Sequence, residues 1–189
     1  YQLLSFADDM PKPFAAYIDN KNVISLGSFS KILAPGLRLG WLQAHPDIIK
    51  RLVISGLLDS GGGMNPFTSA IIRGVVESGD LEKHIQSLIE TYHSRLLKME
   101  TMVRQHLTMV TYNIPRGGYF FWLRFPEDIN TKELRQLAQP LKVDFRHGAL
   151  FSSTGGAQNY IRLCFAHYDE AQIEEGILRM KECLQFRNL

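Results

Sequence analysis

The feature that most constrains this chain is a change of rhythm near residue 108. From Asp80 onward apolar residues recur at helical spacing: Leu81, Ile85, Leu88, Ile89, Tyr92, Leu96, Met99, Val103 and Leu107. After that the period falls to two, with Met109–Ile114 and Tyr119–Phe125 alternating around Pro115-Arg116-Gly117-Gly118. Helices beyond about 25 residues are unusual inside ordinary domains, so the first pattern predicts a helix that links two of them. The second predicts paired strands. Further on, Asn130-Thr131-Lys132-Glu133 opens a short helix carrying Leu134 and Leu137, and Val143–Phe151 and Tyr160–Phe165 read as two more strands. Asp169 caps a last helix with Ile173, Ile177, Met180 and Leu184 facing inward. These elements predict a small α/β layer from roughly residue 93 onward.

Upstream, residues 7–22 are rich in Asp, Pro, Lys and Asn and read as a surface loop. Two strand-like runs follow, Val23–Leu26 and Leu39–Leu42. Pro46 and Asp47 suit the first turn of a helix carrying Ile48, Ile49, Leu52 and Val53, which fades at Ser60-Gly61-Gly62-Gly63. Asn65-Pro66 starts another, with Ala70, Ile71, Gly74 and Val75 on one face. Hydrophobic residues make up 45% of the 189 and charged residues 21%, the balance of a globular chain that buries a core. A net charge of +2 without a dense basic run gives no electrostatic reason for nucleic acid or an anionic membrane as partner. The apolar runs are too short to span a bilayer. Cys164 and Cys183 are unclustered and lack metal-ligand spacing, so they read as reduced thiols of a cytosol-like compartment, Cys164 with a packing role in its strand. The histidines show no metal spacing either, and His147 reads as a solvated or structural residue in a turn.

Between the first two strands lies Ser28-Phe29-Ser30-Lys31-Ile32-Leu33-Ala34-Pro35-Gly36-Leu37-Arg38-Leu39-Gly40-Trp41. Lys31 stands three residues after Ser28 and seven before Arg38. Arginine offers phosphate a rigid fork of donors and Ser28 adds a hydroxyl, while a sequestered amine can form a Schiff base with an aldehyde. A second arginine, Arg162, sits within the otherwise apolar run Tyr160–Phe165. A guanidinium there needs an anion, either a structural carboxylate or the carboxylate of a ligand.

The run around Lys31 resembles the cofactor-lysine segment of fold-type I pyridoxal-phosphate enzymes, most closely class I/II aminotransferases of the 2-aminoadipate type. The seven-residue interval from lysine to arginine is that of this branch. Pro115-Arg116-Gly117-Gly118-Tyr119-Phe120-Phe121-Trp122 is similar to the family's Pro-x-Gly-Gly-x-Phe-x-Trp strand entry. The resemblance covers essentially the whole chain but only the C-terminal half of the family's fold. It implies part of the large cofactor domain with the start of the linking helix over residues 1–92, and the small C-terminal α/β domain over 93–189. It implies that Lys31 is catalytic and carries pyridoxal 5′-phosphate, that Tyr1, Ser28, Ser30 and Arg38 contact the cofactor, and that Arg162 clamps the substrate carboxylate. Proton transfer by Lys31 asks for a neutral amine, which burial and nearby cations favour.

The expected function is amino-group transfer between an amino acid and a 2-oxo acid by a cytoplasmic homodimer. The chain reads as a fragment, inactive alone, whose acidic partner for the cofactor's ring nitrogen would fall just before Tyr1. The segment Gly61–Asn65 could approach a neighbouring subunit's cofactor phosphate. The alternative is the cofactor-binding effector domain of a bacterial winged-helix regulator. A lyase or β-eliminating enzyme on the same scaffold would share the cofactor residues and differ in substrate fate.

Overall fold

The computed structural model describes residues 3–61 and 64–186, and the chain divides into two compact units, Tyr1–Ile89 and Glu90–Leu189. In the first unit β1 (Ile24–Ser28) pairs antiparallel with β2 (Gly40–Ala44), Gly27 opposite Trp41 and Ser28 opposite Gly40. Both glycines are demanded by contact. A Cβ on Gly27 would lie 2.0 Å from the Trp41 ring, and one on Gly40 would lie 2.6 Å from the Gly27 carbonyl oxygen. The strands bracket the lysine run as the alternation predicts.

Helix α1 (Pro46–Val53) is capped by the His45 ring, which accepts a hydrogen bond from the Asp47 amide at 3.2 Å. A single turn, α2 (Gly56–Asp59), follows, and then α3 (Pro66–Glu77), whose cap is the Asn65 side chain accepting from the Thr68 amide at 3.1 Å. On α3 the packed side carries Thr68 and Ile72, while Ala70, Ile71 and Gly74 are exposed. This helix is apolar around much of its circumference, so spacing shows an apolar stripe without saying which flank is covered.

Helix α4 (Asp80–His106) is 27 residues long, and the division between the two units falls inside it. Asp80 is its first residue; the Ser78 hydroxyl accepts from the Asp80 amide at 3.4 Å. The predicted stripe is buried at Leu81, Leu96, Met99, Val103 and Leu107.

The second unit holds a four-stranded antiparallel sheet in the order β3-β4-β6-β5, with β3 Thr111–Tyr112, β4 Phe120–Arg124, β5 Arg146–His147 and β6 Tyr160–Cys164. Period two puts Phe121, Leu123, Ile161 and Leu163 on a buried face, Phe121, Leu123 and Ile161 with no exposure at all. They share the core of this unit with Leu96, Met99 and Val103 of α4, Leu134 of α5 (Thr131–Ala138) and Ile173, Ile177 and Met180 of α6 (Glu170–Phe186). Helix α5 starts where the Asn130 side chain accepts from the Lys132 amide at 3.0 Å. Thr131 behind it is fully buried, its hydroxyl 2.8 and 2.7 Å from the Gln158 and Tyr160 carbonyl oxygens, which pins the helix start to β6. Helix α6 opens on a reciprocal cap: Asp169 accepts from the Gln172 amide at 2.9 Å, and the Gln172 side chain accepts from the Asp169 amide at 3.1 Å.

Two expectations for this unit change. The strand expected over Val143–Phe151 shrinks to two residues, because the backbone turns into a 3-10 segment at Gly148. A Cβ there would meet the Ala157 carbonyl oxygen at 2.3 Å, so the chain crosses too closely to continue as a strand. Cys164, at the end of β6, is exposed and not packed, since alternation turns it to the face opposite Leu163; Cys183 is the buried thiol, its pKa raised by burial.

Candidate functional site

The lysine run closes on itself through local bonds. Ser28 leaves β1 extended, and its Oγ accepts from the Ser30 amide at 3.2 Å, capping a 3-10 turn over Phe29–Lys31. The Phe29 carbonyl then accepts from the amides of Leu33 at 2.9 Å and Ala34 at 3.2 Å, and the Phe29 ring packs on Trp41 with centroids 4.6 Å apart. A second 3-10 turn, Pro35–Leu37, packs against the first and ends at Arg38, which adopts the left-handed conformation with φ 50°. That residue is exposed and donates through one guanidinium nitrogen to the Pro35 carbonyl at 3.2 Å. No described carboxylate forms an ion pair with it.

Lys31 is exposed, which corrects the expectation of a sequestered amine. The turn that carries it lies at the open end of a two-stranded sheet, where no further described strand of this unit adds a layer. Ser28 and Ser30 are half-buried beside it. Two hydroxyls, one guanidinium and one amine, the two cations lacking a described carboxylate, suit a phosphate-bearing aldehyde chemically. Tyr1 lies outside the described residues, as do Gly62 and Gly63 of the expected Gly61–Asn65 loop.

In the second unit Arg162 belongs to the open face of the sheet. Its guanidinium carbon sits 3.8 Å from the Phe120 ring centroid and 4.4 Å from that of Phe151. Cation–π contact with two rings holds the charge, and no described carboxylate forms an ion pair with it. Trp122 stands directly opposite Arg162 on β4, stacks on Tyr160 at 5.4 Å and meets Phe151 edge-on at 5.5 Å. Sequence reasoning did not assign Phe120 or Phe151 to this site. Phe120 was visible as the aromatic two residues before Trp122; Phe151 depends on the 3-10 segment that replaces the expected strand. Gly118, with φ 78°, makes the turn into β4 that the glycine pair predicts.

His147 lies in β5 and not in a turn. Its Nδ1 is buried without a hydrogen-bond partner. Burial first, then the charges of Lys132, Arg135 and Arg146, hold its pKa below the ordinary value of 6.5. Among the described residues no cluster of three His, Cys, Asp or Glu could hold a metal ion, and no helix is long and apolar enough to cross a membrane.

A family profile described as aminotransferase class I and II matches residues 1–180. The chain is 36% identical over 186 residues to aromatic-amino-acid aminotransferase 1 of Thermococcus litoralis, covering 98% of this chain and 44% of that protein. It superimposes with a TM-score of 0.85, at 27% identity, on an α-aminoadipate aminotransferase from Thermus thermophilus solved with N-(5′-phosphopyridoxyl)-L-leucine, covering 98% of this chain and 48% of that one. It is also 28% identical over 182 residues to a Bacillus subtilis protein named as an uncharacterised HTH-type transcriptional regulator, covering 95% of this chain and 37% of that protein. The chain thus spans less than half the length of each.

Proposed function

This chain belongs to the aminotransferase class I and II family and has the PLP-dependent transferase fold, and we propose that it serves amino-group transfer between an amino acid and a 2-oxo acid. One observation carries the reading. The Ser28–Trp41 segment folds into two packed 3-10 turns that present Lys31 and Arg38 with no described carboxylate on either. In this reading residues 1–92 belong to the large cofactor domain and 93–189 form the small domain.

Pyridoxal phosphate, when bound, supplies the electron sink that acidifies the substrate's α-carbon. The chain's own residues do the rest. Arg38 offers the phosphate its fork, with the Ser28 and Ser30 hydroxyls beside it. The Lys31 Nζ would hold the cofactor and would move the proton at the substrate's α-carbon. Arg162, fixed between two rings, presents its guanidinium edge to the substrate carboxylate. Tyr1 completes the cofactor contacts by family resemblance. A cytoplasmic homodimer is the proposed working form.

The test is a hybrid that joins this chain to the N-terminal half of the Thermococcus litoralis relative. A folded, cofactor-loaded hybrid should convert an amino acid to its 2-oxo acid, and Lys31→Ala should abolish the conversion. A folded, loaded hybrid without 2-oxo acid product would refute amino transfer. That outcome would favour the regulator reading, which the Bacillus subtilis relative supports and in which Lys31 still takes the cofactor.

A further inference from the structure

The two residues of β5 project to opposite faces of the small sheet. Arg146 is the direct partner of Arg162 on the open face; His147 is the direct partner of Ile161, which has no exposure, on the core face. An imidazole placed there finds little to bond, and its Nδ1 is buried without a hydrogen-bond partner. From α5 it meets the charges of Lys132 and Arg135, and from its own strand that of Arg146. Asp144, the acid on the approach to β5, is engaged by Arg135 through contacts of 2.5 and 2.9 Å, and Glu133 on α5 is exposed. From β6 comes the apolar Ile161, with Tyr160 and Arg162 turned to the other face. A neutral ring fits this place. A charged one, desolvated among three cations, is strongly disfavoured.

His147 also leads directly into the 3-10 segment Gly148–Phe151. Gly148 is buried and wedged: a Cβ there would lie 2.3 Å from the Ala157 carbonyl oxygen and 2.6 Å from the Tyr160 Cβ. With no slack at Gly148, a displacement of His147 passes into the turn instead of being absorbed. At the far end of that turn the Phe151 ring lies 4.4 Å from the Arg162 guanidinium carbon and 5.5 Å from the Trp122 ring.

We propose that His147 is a proton-operated catch on Arg162: on taking a proton the ring leaves the core face, the Gly148–Phe151 turn shifts with it, and Phe151 withdraws from the guanidinium. Its meaning for a ligand rests on the reading of Arg162 as a carboxylate clamp. With the ring uncharged, Phe120 and Phe151 together fix the guanidinium. With the ring protonated, Phe120 holds it alone and the clamp loses its set orientation. Burial first and the cations next make the ring harder to protonate, so the catch opens below the ordinary histidine value of 6.5.

The experiment follows the 189-residue chain by NMR from about pH 8 to about pH 5, with 15N at arginine and 13C at histidine, alongside titrations with pentanoate. The Arg162 Nε–Hε signal should move with the midpoint of the His147 ring while the β4 amides hold their positions. Pentanoate affinity should fall about threefold across that midpoint, the size of one exposed cation–π contact. His147→Gln should abolish both responses. In Phe151→Leu the His147 ring should still titrate and the Arg162 signal should stay still. Four results would each overturn the proposal: a His147 ring that stays neutral throughout, an Arg162 signal that ignores its titration, a response kept in His147→Gln, or collapse of the whole unit at the same midpoint. Failure of the clamp reading shows separately: Arg162→Gln would then bind pentanoate as wild type does, with the wild-type Arg162 signal still tracking His147.

Discussion

The two units of this chain bury very different amounts of themselves. Among the described residues, five buried apolar side chains fall in residues 1–89 and twenty-two in residues 90–189. The second unit closes a one-faced sheet with helices, so every second strand residue finds a core. In the first, β1 and β2 form only a pair, and Ile24, Leu26 and Leu42 on one of its faces remain 47%, 76% and 37% exposed. The lysine segment is shaped by a different means: local caps, 3-10 turns and two glycines that cannot carry a side chain. Packing holds Arg162, and backbone chemistry holds the Lys31 turn.

The largest effect should come from the sheet core. Phe121→Ala removes a fully buried ring and should cost about 3–5 kcal/mol in denaturant unfolding of the second unit, whereas Leu26→Ala should change stability by less than about 0.5 kcal/mol. Equal effects would dissolve the contrast. Next, Gly27→Ala should break the β1–β2 pairing, because its Cβ would meet the Trp41 ring at 2.0 Å. Amide exchange of residues 24–44 should rise while that of β4 and β6 stays slow. Thr131→Val keeps the shape and removes the one hydroxyl proton shared by the carbonyls of Gln158 and Tyr160, while Gln158 keeps its bond from the Thr131 amide, for about 1 kcal/mol lost from the second unit by chemical denaturation.

The smallest effect is pH-dependent and confined to β5. His147 has a folded-state pKa below its unfolded value, so the unfolded chain binds the extra proton first. Its contribution is therefore present above about pH 6.5 and lost as the pH falls through the lower folded-state value. His147→Phe should flatten the fall in stability between about pH 7 and pH 5. Parallel curves for both proteins would remove His147 as the cause.

Much of this was legible in the sequence, for identifiable reasons. The long stripe of α4, the alternation of β4 and β6 and the caps at Asn65, Asn130 and Asp169 are local patterns, and they folded as they read. What failed depended on neighbours distant in sequence. The exposed Cys164 and the early end of β5 at Gly148 are set by which surfaces meet. At the site, Ser28, Lys31 and Arg38 stood out because they are contiguous. The ring pair around Arg162 and the facing Arg146 did not, because strand register creates them and no spacing announces it.

Lys31 is the proposed residue that takes the cofactor. Incubation of the 189-residue chain with pyridoxal phosphate, reduction with borohydride and peptide mapping test this directly. The expected result is a pyridoxyl group on Lys31, with Arg38→Gln lowering its yield through loss of the phosphate contact. A label spread over Lys21 and Lys50, with Lys31 unmodified, would contradict it.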